Sequence, residues 1–358
     1  MNVGMVIYGG LDQRSGGYLY DRMLVEGLRE LGDRVEVLSL PLREYALNLL
    51  DNLSAQLVGR LTRDPYDILL QDELNHPSLF NANRRIRRAS PIVTIVHHLR
   101  SSEPHWAPLR HLYGRIEKAY LRTVDGAIYN SRVTRSSVEA LMGKPLSSVV
   151  APPGADHISG EVNFQLVRTR AHQPGPLQIV FVGNLIPRKG LHDLIGALKR
   201  IRADKWHLSV VGSLEFDRDY AERIRRTSNQ PNIQLRGAME HAEISELLSQ
   251  SHVLAMPSAY EGFGIVYIEG MAFGLPAVAS AAGGASDIVQ DGVNGYLVHP
   301  SDQAQLRDRL SRLSNDRNLL AEMGKAALET YRNHPTWSRT VHNIREFMVE
   351  LLSNSIEG

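Results

Sequence analysis

Short apolar runs rich in β-branched residues alternate with helical periods along almost the whole chain, and this alternation limits the possible folds more than any other feature. Residues 3–8, 35–40, 68–71, 92–97, 127–129 and 149–151 read as strands. Helical segments lie between them. Residues 17–31 set Leu19, Met23, Leu24, Leu28 and Leu31 on one face, and residues 131–142 open on Ser131, a good capping residue. Repeated strand, helix, strand units bury their apolar faces as a parallel sheet with helices on both sides, which is a doubly wound α/β domain.

The pattern falters between Pro152 and Pro176, a proline- and glycine-rich stretch that reads as a linker. It restarts with strands at 179–182, 208–211, 233–235, 253–256 and 277–279, followed by helical segments at 304–313, 319–331 and 337–352. At roughly 150 residues per domain, a chain of 358 residues supports two domains. The expected organisation is a first doubly wound domain over 1–165, a second over 176–336, and a C-terminal helix, 337–358, that crosses back to the first. Ligands of open α/β sheets bind beyond the carboxyl ends of the strands, so two such domains are expected to face each other across a cleft.

Composition narrows the function by exclusion. The chain has no cysteine, which removes thiol nucleophiles, thiolate metal sites and disulfides and makes a reducing compartment, the cytoplasm, the default. A formal net charge of +1 argues against wholesale nucleic-acid binding. Residues 1–8 read as a strand rather than a leader, and no run reaches the roughly 18 apolar residues a membrane helix requires. The cations are unevenly spread: Arg84, Arg85, Arg87, Arg88, Arg110 and Arg115 belong to a basic segment, 84–144. Such a face is either a solvated helix surface or an attractor of anionic lipid or an anionic acceptor at the inner face of a membrane. Leu49, Leu50, Leu53, Leu57 and Leu61 recur at helical spacing and carry the same two readings, core packing or peripheral membrane contact.

Three loops at strand ends carry the chemistry. Glu261 and Glu269 flank a Gly-Phe-Gly turn and an apolar run; if 264–273 is helical, Glu261 precedes its first turn, Glu269 projects from its body, and both can face one ligand. The amides of that turn and the positive end of the helix dipole favour an anion. Arg188 and Lys189 follow the 179–182 strand and precede a helix, where two cations oppose the dipole and so call for an anionic partner. Gly16 and Gly17 in the first strand-to-helix loop allow close backbone approach. Asp217 and Asp219, by contrast, open a helix and read as caps rather than as metal ligands, so no metal is expected.

Taken together, these motifs resemble the retaining glycosyltransferases of family four. The resemblance rests on Glu261 and Glu269, Phe-Val-Gly-Asn-Leu-Ile-Pro-Arg-Lys-Gly at 181–190, Ser-Gly-Gly at 15–17, Val-Thr-Ile-Val-His at 93–97 and Gly-Leu-Pro-Ala-Val-Ala-Ser at 274–280. It implies the GT-B fold of two facing Rossmann-like domains. It also implies retaining transfer of a hexosyl group from a nucleotide-diphosphate sugar, UDP- or GDP-linked, to a hydroxyl acceptor that is a glycan, a lipid or a small molecule. No cofactor or metal is implied. By the same resemblance Glu269 binds the ribose, Arg188 and Lys189 the diphosphate, and Glu261 the donor sugar, while Gly262, Phe263, Gly264 and Ile265 supply the gripping turn. His97, rather than His98, reaches the sugar from the first domain. Asn184 stands where many relatives carry arginine, which puts one phosphate-binding charge in doubt. A nucleotide-sugar epimerase or hydrolase, and a nucleotide-sugar-binding protein without turnover, are the alternatives.

Overall fold

The computed structural model of the chain describes residues 1–13, 15–87, 89–158 and 162–356; Arg88 of the basic segment lies outside them. The chain divides into two compact units, Met1–Gly154 with Pro335–Gly358, and Ala155–His334.

In the first unit, β1 (Asn2–Tyr8), β2 (Arg34–Leu40), β3 (Ile68–Asp72), β4 (Ile92–Val96), β5 (Gly126–Tyr129) and β6 (Ser148–Val150) form one parallel sheet in the order β2-β1-β3-β4-β5-β6. Val3 stands opposite both Val35 and Ile68. The central strands are buried on both faces because helices cover both, as in other parallel sheets. Helix Gly16–Glu30 is capped by Ser15, and helix Arg132–Met142 by Ser131, whose hydroxyl accepts the Thr134 N–H at 3.0 Å.

The C-terminal helix, Trp337–Ile356, lies with this unit. Its Val341 sits so close to Gly27 that a Cβ there would meet Val341 Cγ2 at 2.8 Å, and its Phe347 comes equally near Gly126. Arg345 Nε donates to Asp33 Oδ2 at 2.7 Å. The leucines of 47–61 do not form one stripe. A 3-10 turn, Leu49–Leu53, and the cap Ser54 separate helix Tyr45–Asn48 from helix Ala55–Leu61, so Leu61 is buried while Leu50 and Leu53 are exposed.

The second unit carries β7 (Leu177–Val182), β8 (Trp206–Val211), β9 (Ile233–Gly237), β10 (Val253–Met256), β11 (Ala277–Ser280) and β12 (Gly295–Val298) in the order β12-β11-β10-β7-β8-β9, again all parallel. The edge strand β12 has no counterpart in the sequence reading, since four residues beginning with glycine are too short to show a period. The expected linker is also more than a linker. Residues 155–165, expected in the first domain, belong to the second unit, and helix Phe164–Ala171, capped by Asn163, packs on helix Arg317–Arg332 with Val167 against Gly324. Asp217 accepts the Tyr220 N–H at 2.9 Å as the cap of helix Arg218–Thr227, and Asp219 lies in its first turn.

In each sheet the chain starts in the interior and winds outward in both directions. The switch falls between β1 and β3 in the first unit and between β7 and β10 in the second. Crevices open at the carboxyl ends of strands at such points, so the loops after these strands hold the candidate residues.

Candidate functional site

In the second unit the loops after β7 and β10 meet. Pro187–Lys189 forms a 3-10 turn that presents Arg188 and Lys189, and Gly190 then takes a left-handed φ of 71° to start helix Leu191–Leu198. A Cβ on Gly190 would lie 2.1 Å from the Pro257 carbonyl oxygen, so the two loops can touch only through a glycine. The Ala259 N–H donates to the Arg188 carbonyl at 2.7 Å and locks them together.

The anionic partner that the two cations call for is Glu261. Lys189 Nζ lies 2.6 Å from Glu261 Oε1, Ser258 Oγ donates to the same oxygen at 2.8 Å, and Arg188 Nη1 stands 3.9 Å away while donating to the Tyr260 carbonyl at 2.8 Å. Glu261 is buried, which by itself would push its carboxyl up. Lys189, then Arg188, and the hydrogen bonds from Lys189 and Ser258 outweigh this and hold it below the usual range. The backbone around it is equally constrained. The Gly284 N–H donates to the Glu261 carbonyl, and Cβ atoms at Gly283 and Gly284 would lie 1.9 Å and 2.0 Å from the Glu261 and Gly262 carbonyl oxygens. Gly283 and Gly284 are therefore packing positions for the Glu261 turn.

Beyond Glu261, the buried Phe263 and the left-handed Gly264 (φ 85°) lead into helix Ile265–Ala272. A side chain at Gly264 would strike the Tyr267 ring at 2.3 Å, and that ring is fixed by its hydroxyl donating to the Met256 carbonyl. The first amides of this helix, at Ile265 and just after, form its positive end, four residues on from Glu261.

Glu269 projects from the helix body as expected, but into a different network from Glu261. His157 Nε2 lies 2.8 Å from Glu269 Oε1, and the His157 ring packs edge-on against His241 at 6.2 Å. Sequence reasoning missed His157, which lies in the stretch taken for a linker, 112 residues from its partner. Ser258, at the start of the loop after β10 that was expected to carry the site, was given no role of its own, yet it is the second hydrogen-bond donor to Glu261. Asn184 lies in the β7 loop, where its carbonyl accepts the Ile186 N–H at 2.9 Å.

In the first unit the switch point gathers a second polar cluster. His97, at the end of β4, is 8 % exposed; its Nε2 lies 3.3 Å from Asp21 Oδ1, and its ring meets the Tyr20 ring edge-on at 5.3 Å. Burial keeps the imidazole below its usual value, only partly offset by Asp72. His98, next along the loop after β4, contacts Glu103 Oε1 at 2.9 Å instead. Gly17 is explained by this arrangement, for its absent side chain would stand 3.3 Å from His97 Cδ2; Gly16 is the first residue of the helix. Asp21, Asp72 and His97 bring one oxygen or nitrogen each within 4.8 Å of one another. Among the described residues no other group of three or more histidine and carboxylate side chains does so.

Comparison with known proteins places these features. Residues 165–330 match the family described as Glycosyl transferases group 1. A D-inositol 3-phosphate glycosyltransferase of Paenarthrobacter aurescens is 30% identical over 241 residues, covering 63% of this chain and 58% of that protein. The chain spans about half the length of the curated relatives it matches. Among solved structures, the sucrose-phosphate synthase of Thermosynechococcus elongatus has a TM-score of 0.81 at 19% identity and covers 99% of both chains. Anabaena HepE, solved with UDP and glucose, has a TM-score of 0.75 at 20% identity, covering 98% of this chain and 99% of that one. The fold is thus the α/β fold of the GT-B glycosyltransferases, and it is residues 165–330 that carry the match to the group 1 glycosyl transferases.

Proposed function

We propose that this protein is a retaining glycosyltransferase that moves a hexosyl group from a nucleotide-diphosphate sugar to a hydroxyl acceptor without a metal ion. The observation that carries the reading is the Lys189–Glu261 pair, flanked by Arg188 and by the amide-rich turn that opens helix Ile265–Ala272. A diphosphate fits such a place because a lysine point charge, an arginine fork and helix amides all favour it.

In the proposed step the bond from the anomeric carbon to the diphosphate oxygen breaks and a bond to the acceptor oxygen forms on the same face. The acceptor proton passes to the departing oxygen. Lys189, Arg188 and the amides of Gly262, Phe263, Gly264 and Ile265 stabilise the leaving anion, which is where electrostatic catalysis contributes most. Glu261, kept ionised by its cations, stabilises positive charge at the anomeric carbon. Glu269, oriented by His157, binds the ribose hydroxyls, and His97 contacts the donor sugar. HepE was solved with UDP, so UDP-linked sugars are the first donors to test.

For the acceptor, the reading favours a lipid-linked hydroxyl at the cytoplasmic face of a membrane. Leu50 and Leu53 are 61% and 79% exposed, and Trp106 is 78% exposed, in the unit that carries the basic segment. No helix among the described residues is long and apolar enough to cross a membrane, so such an association would be peripheral.

The test is release of nucleoside diphosphate from UDP- and GDP-hexoses, with and without lipid and sugar acceptors, and the anomeric configuration of the product by NMR. Acceptor-dependent release with retention supports the reading; release of an epimer or free sugar alone, or no turnover with any donor, refutes it. Failure to bind anionic vesicles at low salt would remove the membrane part.

A further inference from the structure

His97 stands over two buried acids that the proposed function does not use. Asp21 and Asp72 are 0% and 1% exposed. They come from helix Gly16–Glu30 and from the end of β3, the two elements that flank the switch point. Asp21 Oδ1 faces His97 Nε2, while Asp21 Oδ2 is buried and meets no N–H or O–H donor among the described residues. The Asp21 and Asp72 side chains bring an oxygen each within 4.8 Å of one another, and one Asp72 oxygen, Oδ1, already accepts the Leu74 N–H at 2.9 Å. Two carboxylates cannot both ionise at that distance in a dry site. A proton carried by Asp72 toward Asp21 would give Asp21 Oδ2 the donor it lacks.

We propose that Asp21 is the positioning residue for His97, accepting its Nε2 proton so that Nδ1 keeps its lone pair, and that Asp21 and Asp72 hold a single proton between them. The surroundings are consistent with this. Glu73 accepts the His97 backbone N–H at 3.3 Å, and the Tyr18 hydroxyl is occupied by the Tyr8 carbonyl, the Tyr20 hydroxyl by the Ala151 carbonyl and the Tyr120 hydroxyl by Gln71 and Thr94. Asp72 feels the charges of Asp21 and His97, and the buried Glu73 interacts with Asp72, Asp21 and Glu117. One negative charge then holds a neutral imidazole in a fixed tautomer, much as a buried aspartate does in catalytic triads. Gly17 and the Tyr20 ring fix the plane of the imidazole.

The catalytic consequence rests on the proposed role of His97 at the sugar, whereas the tautomer does not. The decisive measurement is therefore the imidazole nitrogen NMR spectrum of the whole chain, with the His97 signals assigned by their loss in His97→Gln. Wild type is expected to show the Nε2–H tautomer at pH 7, Asp21→Asn to keep it through the amide oxygen, and Asp21→Leu to lose it. An Nδ1–H tautomer in wild type, or an unchanged spectrum in Asp21→Leu, overturns the proposal. The shared proton is tested by turnover. Asp21→Asn, whose amide reproduces the singly protonated pair, should keep kcat within about threefold, while Asp21→Leu should lose at least tenfold with donor KM unchanged. Equal loss in both variants overturns the shared proton, and broadening of the His97 signals by added Mn²⁺, reversed by EDTA, would assign the cluster to a cation instead. If His97→Gln transfers sugar at the full rate, the role of His97 in the proposed function fails, and the spectra still decide that of Asp21.

Discussion

Lys189 Nζ and Glu261 Oε1 lie 2.6 Å apart, although 72 residues separate them in the chain. The contact joins the loops at the switch point of the second sheet and sets the charge of the carboxylate most central to the proposed chemistry. Removing one partner of such a buried pair strands the other. Lys189→Met is expected to destabilise the protein by roughly 1–3 kcal/mol and to lower kcat by about two orders of magnitude. Pairing it with Glu261→Gln should recover part of the stability but none of the turnover, measured by denaturant unfolding and a double-mutant cycle.

The same pair makes a pH prediction. The Glu261 carboxyl is held below its usual 4.5 by Lys189 and Arg188 against the effect of burial. Its contribution to stability is therefore present above 4.5 and lost as pH falls through the lower, folded value. Melting temperatures of wild type and Glu261→Gln from pH 7 to 3 should differ most above 4.5 and converge in acid. A difference that grows on acidification would contradict the assigned charge.

Asp21 works in the opposite sense. Burial raises it from 3.8 to about 7, so its contribution is present in full below 3.8, is lost as pH rises toward 7 and changes no further beyond it. Asp21→Asn should remove that decline, and the check is a comparison of unfolding midpoints with wild type at pH 4, 5.5, 7 and 8.

Glu269 and His157 form a unit separate from Glu261, which predicts separable kinetics. Glu269→Ala should raise donor KM about tenfold or more with little effect on kcat, as expected of a group that binds ground state and transition state alike. His157→Ala should move KM in the same direction by a smaller factor, because it only orients the carboxylate. Steady-state kinetics over a donor series decides this, and a fall in kcat alone for either variant would reassign them.

Gly283 has φ 93° and no room for a Cβ, which would stand 1.9 Å from the Glu261 carbonyl oxygen. Gly283→Ala is expected to cost roughly 2–3 kcal/mol through strain and displaced backbone. It should also reduce turnover by shifting the Glu261 turn, and unfolding and kinetic assays on the same preparation test both effects.

Much of the architecture was legible along the chain because buried parallel strands are short continuous apolar runs and their covering helices carry a 3.6-residue period. The strand read at 253–256 is β10 itself, and Ser131 caps the helix that its place predicted. Where the signal was weak the reading failed. Four residues of β12 show no period, and helix Phe164–Ala171 hid in a proline- and glycine-rich stretch. The leucines of 47–61 kept helical spacing while Ser54 broke the helix, since a cap is a local event that spacing does not register.

The sequence alone determined which loops carry charge and which turns need glycine, because strand ends, cations and Gly-Phe-Gly are local facts. Only the tertiary structure decided who pairs with whom: Lys189 with Glu261, His157 with Glu269 across 112 residues, and Asp21 with His97 across 76. Those pairings depend on the order of strands in each sheet, β1 beside β3 and β7 beside β10, and hydrophobic period holds no information about that order.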